Sequence, residues 1–412
     1  MEMTESRAIV GYCTNVHAGT DLGAILANLR THALAVRQHL GLRRLPVGLW
    51  FSETAVQEAL RADGWMRIQQ GLQDMGLIPY TLNGFPQGDF HSPVVKHRVY
   101  VPTWWDASRL AYTRSLVLLL DRLLEPGREG SISTLPIAWG NPPPTSEQWH
   151  RAAEHLINLA EELHQQYEQV GRRIVLAIEP EPGCAITDTS SLRRFFADYL
   201  SEQRLGSQRA ERIRRHLTMC HDVCHAAVMG EDQAVELRAC RDEGIQIGKV
   251  QISSAIRVRW TDRNTEERIA ALQQLSQFAE DRYLHQTMVR TIDGRNRLHE
   301  DLPELLHGHR SPESLEQHEE WRIHFHVPID IGSWGHLAST RNEIETFLAI
   351  AGIDPQAGRT EMHLEVETYA WGVLPEAMRP PHLHLGIARE LEWLQAQIDS
   401  MHPSLQEKDQ RD

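Results

Sequence analysis

Long apolar runs are missing from this 412-residue chain. The longest, around Leu116 to Leu120, falls far short of the roughly 20 residues a membrane-spanning helix needs, so direct insertion into a bilayer is not expected. Basic residues are in deficit, 42 Lys and Arg against 56 Asp and Glu, for a formal charge of −14. That argues against nucleic acid as a partner, because phosphate binding relies on a Lys/Arg footprint. Cysteine is scarce: Cys13, Cys184, Cys220, Cys224 and Cys240 are an odd number with no C-x-x-C pair. This excludes a disulfide framework and fits core thiols in a reducing compartment. The first residues, MEMTESRAIV, are polar and acidic where a secretion signal would be basic and then apolar. The expectation is a cytoplasmic protein that takes a small-molecule metabolite.

What is present is an alternation. Strands read at residues 8–14, 46–50, 76–83, 131–136, 173–179, 245–254 and 361–368, and a short one within 216–229 that carries Thr218, Cys220 and Asp222 on one face and ends at Asp222, with helical spacing at 21–40, 53–72, 109–124 and 145–167. Thr145 with Gln148 forms a capping box before the last of these. Eight βα units in a chain of this length favour an α/β fold, a (β/α)8 TIM barrel with its reactive groups at the C-terminal strand ends. The expected organisation is one barrel domain over residues 1–400, with an insertion at about 255–320, and a disordered tail at 401–412.

Two stretches break the regularity. Residues 83–106, NGFPQGDFHSPVVKHRVYVPTWWD, are too long for a routine connection and predict a loop on the substrate face. His91, Lys96 and Trp104 are its candidate binding residues, joined by Asn83 where the loop begins and by Asn15 and His17 after the first strand. The second stretch, 255–320, reads as a helix over 265–285 followed by a charged segment whose His299, His307, His309 and His318 are expected at the surface.

Metal chemistry is concentrated at strand ends. Asp222-x-x-His225 offers an oxygen and a nitrogen one turn apart, the pattern of a divalent site, although Asp222 as a helix cap and His225 as a loop residue read equally from the same letters. Glu179 ends the apolar strand RIVLAIE, where a buried carboxylate needs an ion pair or a metal. In EMHLEVET, His363, Glu365 and Glu367 share one face, and inward glutamates repel unless a proton or cation intervenes. Gln251 lies on the inner face of its strand with Lys249 and Ser253. His324-x-His326 places two imidazoles on one side of an extended segment. The predicted ligand set is therefore Glu179, Asp222, His225, Gln251, His324, His326 and Glu367, for Zn²⁺, Mn²⁺ or Mg²⁺, with Glu179 and Glu367 as the pair able to exchange protons with carbon.

The motifs LAIEPEPG, HDVCHA and LEVET, in this order at strand ends, resemble the xylose isomerase-like barrels, which include sugar isomerases, ketose epimerases and zinc-dependent apurinic-site endonucleases. The resemblance implies metal ligation by Glu179, Asp222 and Glu367 with His225 nearby. Gln251 departs from it, standing where the epimerases carry a histidine. A wider set, YCTNVHAG, TLNGFPQGDFH, VKHRVYVPTWWD, GSISTLP and WRIHFHVPID, resembles the EboE family of metabolite traffic proteins. It implies handling of a secondary-metabolite precursor for transfer to or across the cytoplasmic membrane, with membrane proteins of the same gene cluster as partners. The alternatives are a metal-dependent sugar or sugar-phosphate isomerase or epimerase and, last because of the acidic charge, an endonuclease-type phosphodiesterase.

Overall fold

A computed structural model describes residues 8–309, 311–351 and 362–401. Eight parallel strands close into a barrel: β1 Ala8–Cys13, β2 Leu45–Trp50, β3 Leu77–Asn83, β4 Gly130–Thr134, β5 Ile174–Ile178, β6 Leu217–Asp222, β7 Ile247–Ile252 and β8 Met362–Val366. β8 closes the ring against β1, with Ala8 opposite Met362 and Tyr12 opposite Val366. The strands are buried on both faces, which is why β5 reads as an unbroken apolar run, IVLAI. Helices surround the ring and supply the main hydrophobic core. The predicted (β/α)8 barrel is the fold observed.

The helices hold with local changes. The predicted 21–40 helix is continuous through a π-helical turn at Leu29–Ala33. The predicted 53–72 helix is two, Glu53–Leu60 and Gly64–Met75, broken where Ala62 takes a φ of 44°. The capping box at Thr145 is present, and its helix runs Ser146–Val170.

The barrel interior is built around charge. Lys249 and Glu365, both fully buried, meet at 2.6 Å. Gly48 makes this arrangement fit, since a Cβ there would lie 1.3 Å from Glu365 Oε1. The repulsion expected between Glu365 and Glu367 is thus relieved on the Glu365 side by a lysine.

The insertion after β7 differs from its sequence reading. The helix ends at Leu275 rather than His285, and Thr287–Thr291 is a strand. Six short strands form an antiparallel sheet in the order Asn296–His299, Thr287–Thr291, His318–Ile323, Ile256–Arg259, Leu337–Ser339 and Ser333–Trp334. Its own core centres on Trp260 and Trp321, edge to face at 5.0 Å, with Phe278 and Phe325. His318 and His309 pack against Trp321, and the Trp321 indole N–H donates to His318 Nδ1 at 2.8 Å. These two, like His299, are half-buried, and His307 alone of the four is exposed as expected. The chain returns through Arg341–Ile350 to β8 and ends on the helix Leu383–Met401. Beyond Met401 the expected tail lies outside the described residues.

Candidate metal centre

Four segments deliver the site to the C-terminal mouth of the barrel. Glu179 and Glu181 follow β5. Asp222 ends β6 and caps the helix Val223–Met229, accepting from the His225 backbone N–H at 2.9 Å. The cap reading of Asp222 is what the structure shows, and the cap fixes the helix that carries the imidazole, so that His225 is a buried helical residue and not a loop residue. Glu367 follows β8. The fourth segment comes from the insertion, where residues 324–327 run extended beyond the strand His318–Ile323 and are pinned by His324 N–H on the Gln286 carbonyl and Val327 N–H on the Ser254 carbonyl, each at 2.9 Å.

The side chains converge. Ligand atoms of Glu179, Asp222 and Glu367 lie within 4.8 Å of one another, as do those of Asp222, His225 and His326, and those of Glu181, His225 and His324. Asp222 and His225 each belong to two of these groups. The side chains are buried, yet Glu179 Oε2, Asp222 Oδ2 and His326 Nε2 have no hydrogen-bond partner. Orphaned atoms of this kind are costly unless something else satisfies them.

The imidazoles are oriented for ligation. His225 Nδ1 donates to the Pro180 carbonyl at 2.8 Å, His326 Nδ1 to the Glu367 carbonyl at 2.6 Å and His324 Nδ1 to Gln286 Oε1 at 2.7 Å. Each Nε2 is thereby left as a bare lone pair. His225 Nε2 and His324 Nε2 face each other at 3.2 Å, an arrangement that repels unless a cation or proton lies between them. Fixing one ring nitrogen so that the other points at a metal is how metal-binding histidines are held. On these observations the residues fit a divalent cation, and the mixed nitrogen and carboxylate set suits Zn²⁺ or Mn²⁺ better than Mg²⁺.

Electrostatics agree. Burial pushes His324 well below its ordinary pKa, reinforced by His225 and His326, and lowers His326 to about 4, so both rings are neutral near pH 7, as ligands must be. Glu179 is pushed well up by burial and then by the charges of Glu367 and Asp222. Glu367 moves the same way, through burial and then Asp222 and Glu365. For Asp222 burial pushes upward, but His225, His326, the His225 N–H and the Ser253 hydroxyl outweigh it and keep the group below the usual carboxylate range. Ser253 donates to Asp222 Oδ1 at 2.7 Å, leaving Oδ2 toward His225 and His326.

The remaining sequence candidates divide. Asn15 and Asn83 reach the site: both amides donate to Glu367 Oε1, at 2.7 and 2.8 Å. His91 stands behind, its Nε2 at 2.6 Å from the Asn15 carbonyl, and so positions Asn15. His17 is buried away from the ligands, stacked on His32 at 4.5 Å and bonded to the Tyr12 hydroxyl. Lys96 is turned to Asp301 of the insertion at 2.6 Å. Trp104 is a core residue, fully buried with its indole N–H on Thr134, so it packs the fold instead of forming a cavity wall. Gln251 is fully buried on β7, opposite Asp222 and Glu365 in strand register, with both amide atoms unpartnered.

Sequence reasoning missed Glu181, Tyr100 and Gln286. Glu181 accepts from the Tyr100 hydroxyl at 2.7 Å and from Gln286 Nε2 at 3.1 Å. The signal for Glu181 was its i+2 position after Glu179. Tyr100 and Gln286 come from the two irregular stretches, where no period announces which residue points inward. Together these segments border a small cavity of about 60 Å³ over the candidate ligands, walled on one side by Phe85, Pro86, Phe90, Val99 and Tyr369. No helix is long and apolar enough to cross a membrane among the described residues.

No family profile matches the chain, and no curated protein matches it significantly. Solved structures similar to it include a xylose isomerase domain protein from Alicyclobacillus acidocaldarius, at 15% identity over 94% of this chain and 98% of that one, with a TM-score of 0.44. IolI protein with a binding zinc atom is similar at 10% identity over 95% of this chain and 97% of that one, TM-score 0.40. A xylose isomerase-like TIM barrel/4-hydroxyphenylpyruvate dioxygenase fusion protein is similar at 13% identity over 98% of this chain, TM-score 0.44, and this chain spans 44% of its length. These are likenesses of fold alone.

Proposed function

We propose that this chain is a divalent-metal-binding barrel that handles a small metabolite, and that the chemistry its site supports best is isomerisation or epimerisation at a carbon beside a carbonyl. The observation that carries the reading is the trio of imidazoles with Nδ1 tied to an acceptor: Nε2 of His225 and of His326 each stand 3.8 Å from the orphaned Asp222 Oδ2, and Nε2 of His324 faces that of His225 at 3.2 Å. Glu179, Asp222, Glu367, His225, His324 and His326 would hold the cation, with Glu181 beside His324. A cation bound there supplies Lewis-acid polarisation of a substrate oxygen. The chain supplies the rest. Asn15 and Asn83 fix Oε1 of Glu367, Glu179 keeps Oε2 without a partner, and both residues line the cavity, so two carboxyl groups would be placed to take a proton from carbon and return it.

A second reading is the metabolite traffic role that the EboE resemblance implies, holding a secondary-metabolite precursor for membrane proteins of its gene cluster. The deep burial of every ligand beneath two excursions favours retention of a bound molecule. The endonuclease reading finds no basic wall at the site and is set aside. Protein purified without chelator should carry divalent metal, and zinc- or manganese-loaded protein incubated with α-hydroxycarbonyl compounds in deuterated water should exchange the hydrogen beside the carbonyl. Metal content without exchange, and with a co-purifying small molecule, would leave the traffic reading in place of the isomerase. Absence of metal binding would remove both forms of the metal reading.

A further inference from the structure

The two halves of the cavity differ in chemistry, and that difference constrains what fits. One half is the ligand set. The other is Phe85, Pro86, Phe90 and Val99, with no polar side-chain atom among them, closed by Tyr369, whose ring lies 4.6 Å from His326 and 5.3 Å from Phe90. Among the described residues no lysine or arginine lines the cavity. The nearby cations are held elsewhere: Lys249 on Glu365 inside the barrel, Lys96 on Asp301, and Arg109 on the carbonyls of Pro102, Gly84 and Phe85. The amides on the wall are turned to the carboxylate side, since Asn15 and Asn83 both donate to Glu367 Oε1. On the apolar side Tyr369 brings a neutral hydroxyl.

We infer that the substrate or cargo is uncharged and amphiphilic: a vicinal pair of oxygens, as in an α-hydroxyketone or diol, joined to a hydrocarbon face, and not a phosphorylated or carboxylated sugar. The oxygen pair faces the ligand set and the hydrocarbon lies against Phe85, Phe90 and Val99. A phosphate on the same molecule would enter the apolar half with no lysine or arginine to meet it and only neutral donors at its edge, a desolvation cost with little to offset it. Nor does a bound divalent cation change this, because Glu179, Glu181, Asp222 and Glu367 already surround it with negative charge. A lone-pair oxygen gains from such a cation, and a distant phosphate does not.

This inference rests on the reading of the mouth as the binding site, and the two are separable by experiment. Zinc titration of the full-length protein judges the metal reading alone. Calorimetric titration with three probes sharing one α-hydroxyketone head, phenacyl alcohol, dihydroxyacetone and dihydroxyacetone phosphate, judges this inference, with and without zinc. Phenacyl alcohol is expected to bind tightest and dihydroxyacetone phosphate weakest, with roughly a ten-fold or larger gap between them. Equal or tighter binding of the phosphate, or no binding of phenacyl alcohol at millimolar concentration, overturns it. Val99→Arg, which adds a guanidinium to the apolar wall, is expected to raise affinity for dihydroxyacetone phosphate. A folded variant that leaves the phosphate weakest overturns the view that missing positive charge sets the preference.

Discussion

Gln286 does for His324 what backbone carbonyls do for His225 and His326: it accepts the Nδ1 proton and turns Nε2 inward. Because a side chain performs this role, it can be removed without disturbing the barrel. Gln286→Leu should lower zinc affinity by about 10–100-fold, the usual effect of losing a partner behind a metal-bound histidine, read by competition with a chromophoric chelator. Unchanged affinity would show that His324 is not a ligand. A second residue gives a pH signature away from the ligands. Glu390 is buried and accepts from the Ile329 N–H, the Thr368 hydroxyl and the Trp371 indole, and burial raises its pKa to about 8. A carboxyl group raised in the folded state contributes nothing adverse below its ordinary value near 4.5, and stability is then lost as pH climbs toward 8. The difference in melting temperature between Glu390→Gln and the parent should therefore shift in favour of the variant from pH 5 to pH 8; a difference independent of pH counts against a raised Glu390. Neither Gln286 nor Glu390 was legible in the sequence. Their importance comes from contacts with residues far along the chain, whereas Glu179, Asp222 and Glu367 could be read because a carboxylate ending an apolar strand conflicts with its surroundings.

At the scale of elements, legibility follows periodicity. The eight barrel strands were readable because β5 is an unbroken apolar run, others such as β8 alternate apolar with polar residues, and helices separate most of them. The insertion was not, because its strands are short, charged on one face and pair only with one another, so residues 276–285 looked like more helix. One local signal was present. Asp293-Gly294, with Gly294 at φ 81°, turns the chain between the strands Thr287–Thr291 and Asn296–His299, and an Asp-Gly pair is among the strongest hairpin marks in a sequence. The glycine in β2 carries a different message. Gly48 has no left-handed φ, and its constraint is the approach of Glu365 Oε1, with Thr81 Cγ2 2.9 Å from where a Cβ would sit. Glu365 has no route to solvent and holds Lys249. Gly48→Ala should cost about 3 kcal/mol or more, combining overpacking with a displaced buried ion pair. A urea midpoint within experimental error of the parent would mean the strand moves aside freely.

The whole molecule joins two hydrophobic cores, one in the barrel and one in the insertion, and the ligand set straddles them: carboxylates and His225 come from strand ends, His324 and His326 from the insertion. A cation bound there ties the two parts together, and without it Glu179, Glu181, Asp222 and Glu367 crowd the mouth among buried imidazoles. Ligand binding to the native state alone stabilises by RT ln(1 + [L]/Kd), about 2.7 kcal/mol at a hundredfold excess over Kd. Chelation should therefore lower the melting temperature, and zinc should restore it in a concentration-dependent way. Because Asp222 serves two of the ligand groups and Glu179 shares one of them, Asp222→Ala combined with Glu179→Ala should abolish the zinc response. Lys96→Met, which removes only the Lys96–Asp301 contact, should keep it. The double variant also removes two crowded carboxylates, so its metal-free form should melt no lower than the chelated parent once the packing loss is matched by an Asp222→Asn, Glu179→Gln control. A zinc-dependent shift that survives in both double variants would place the stabilising cation somewhere other than the barrel mouth.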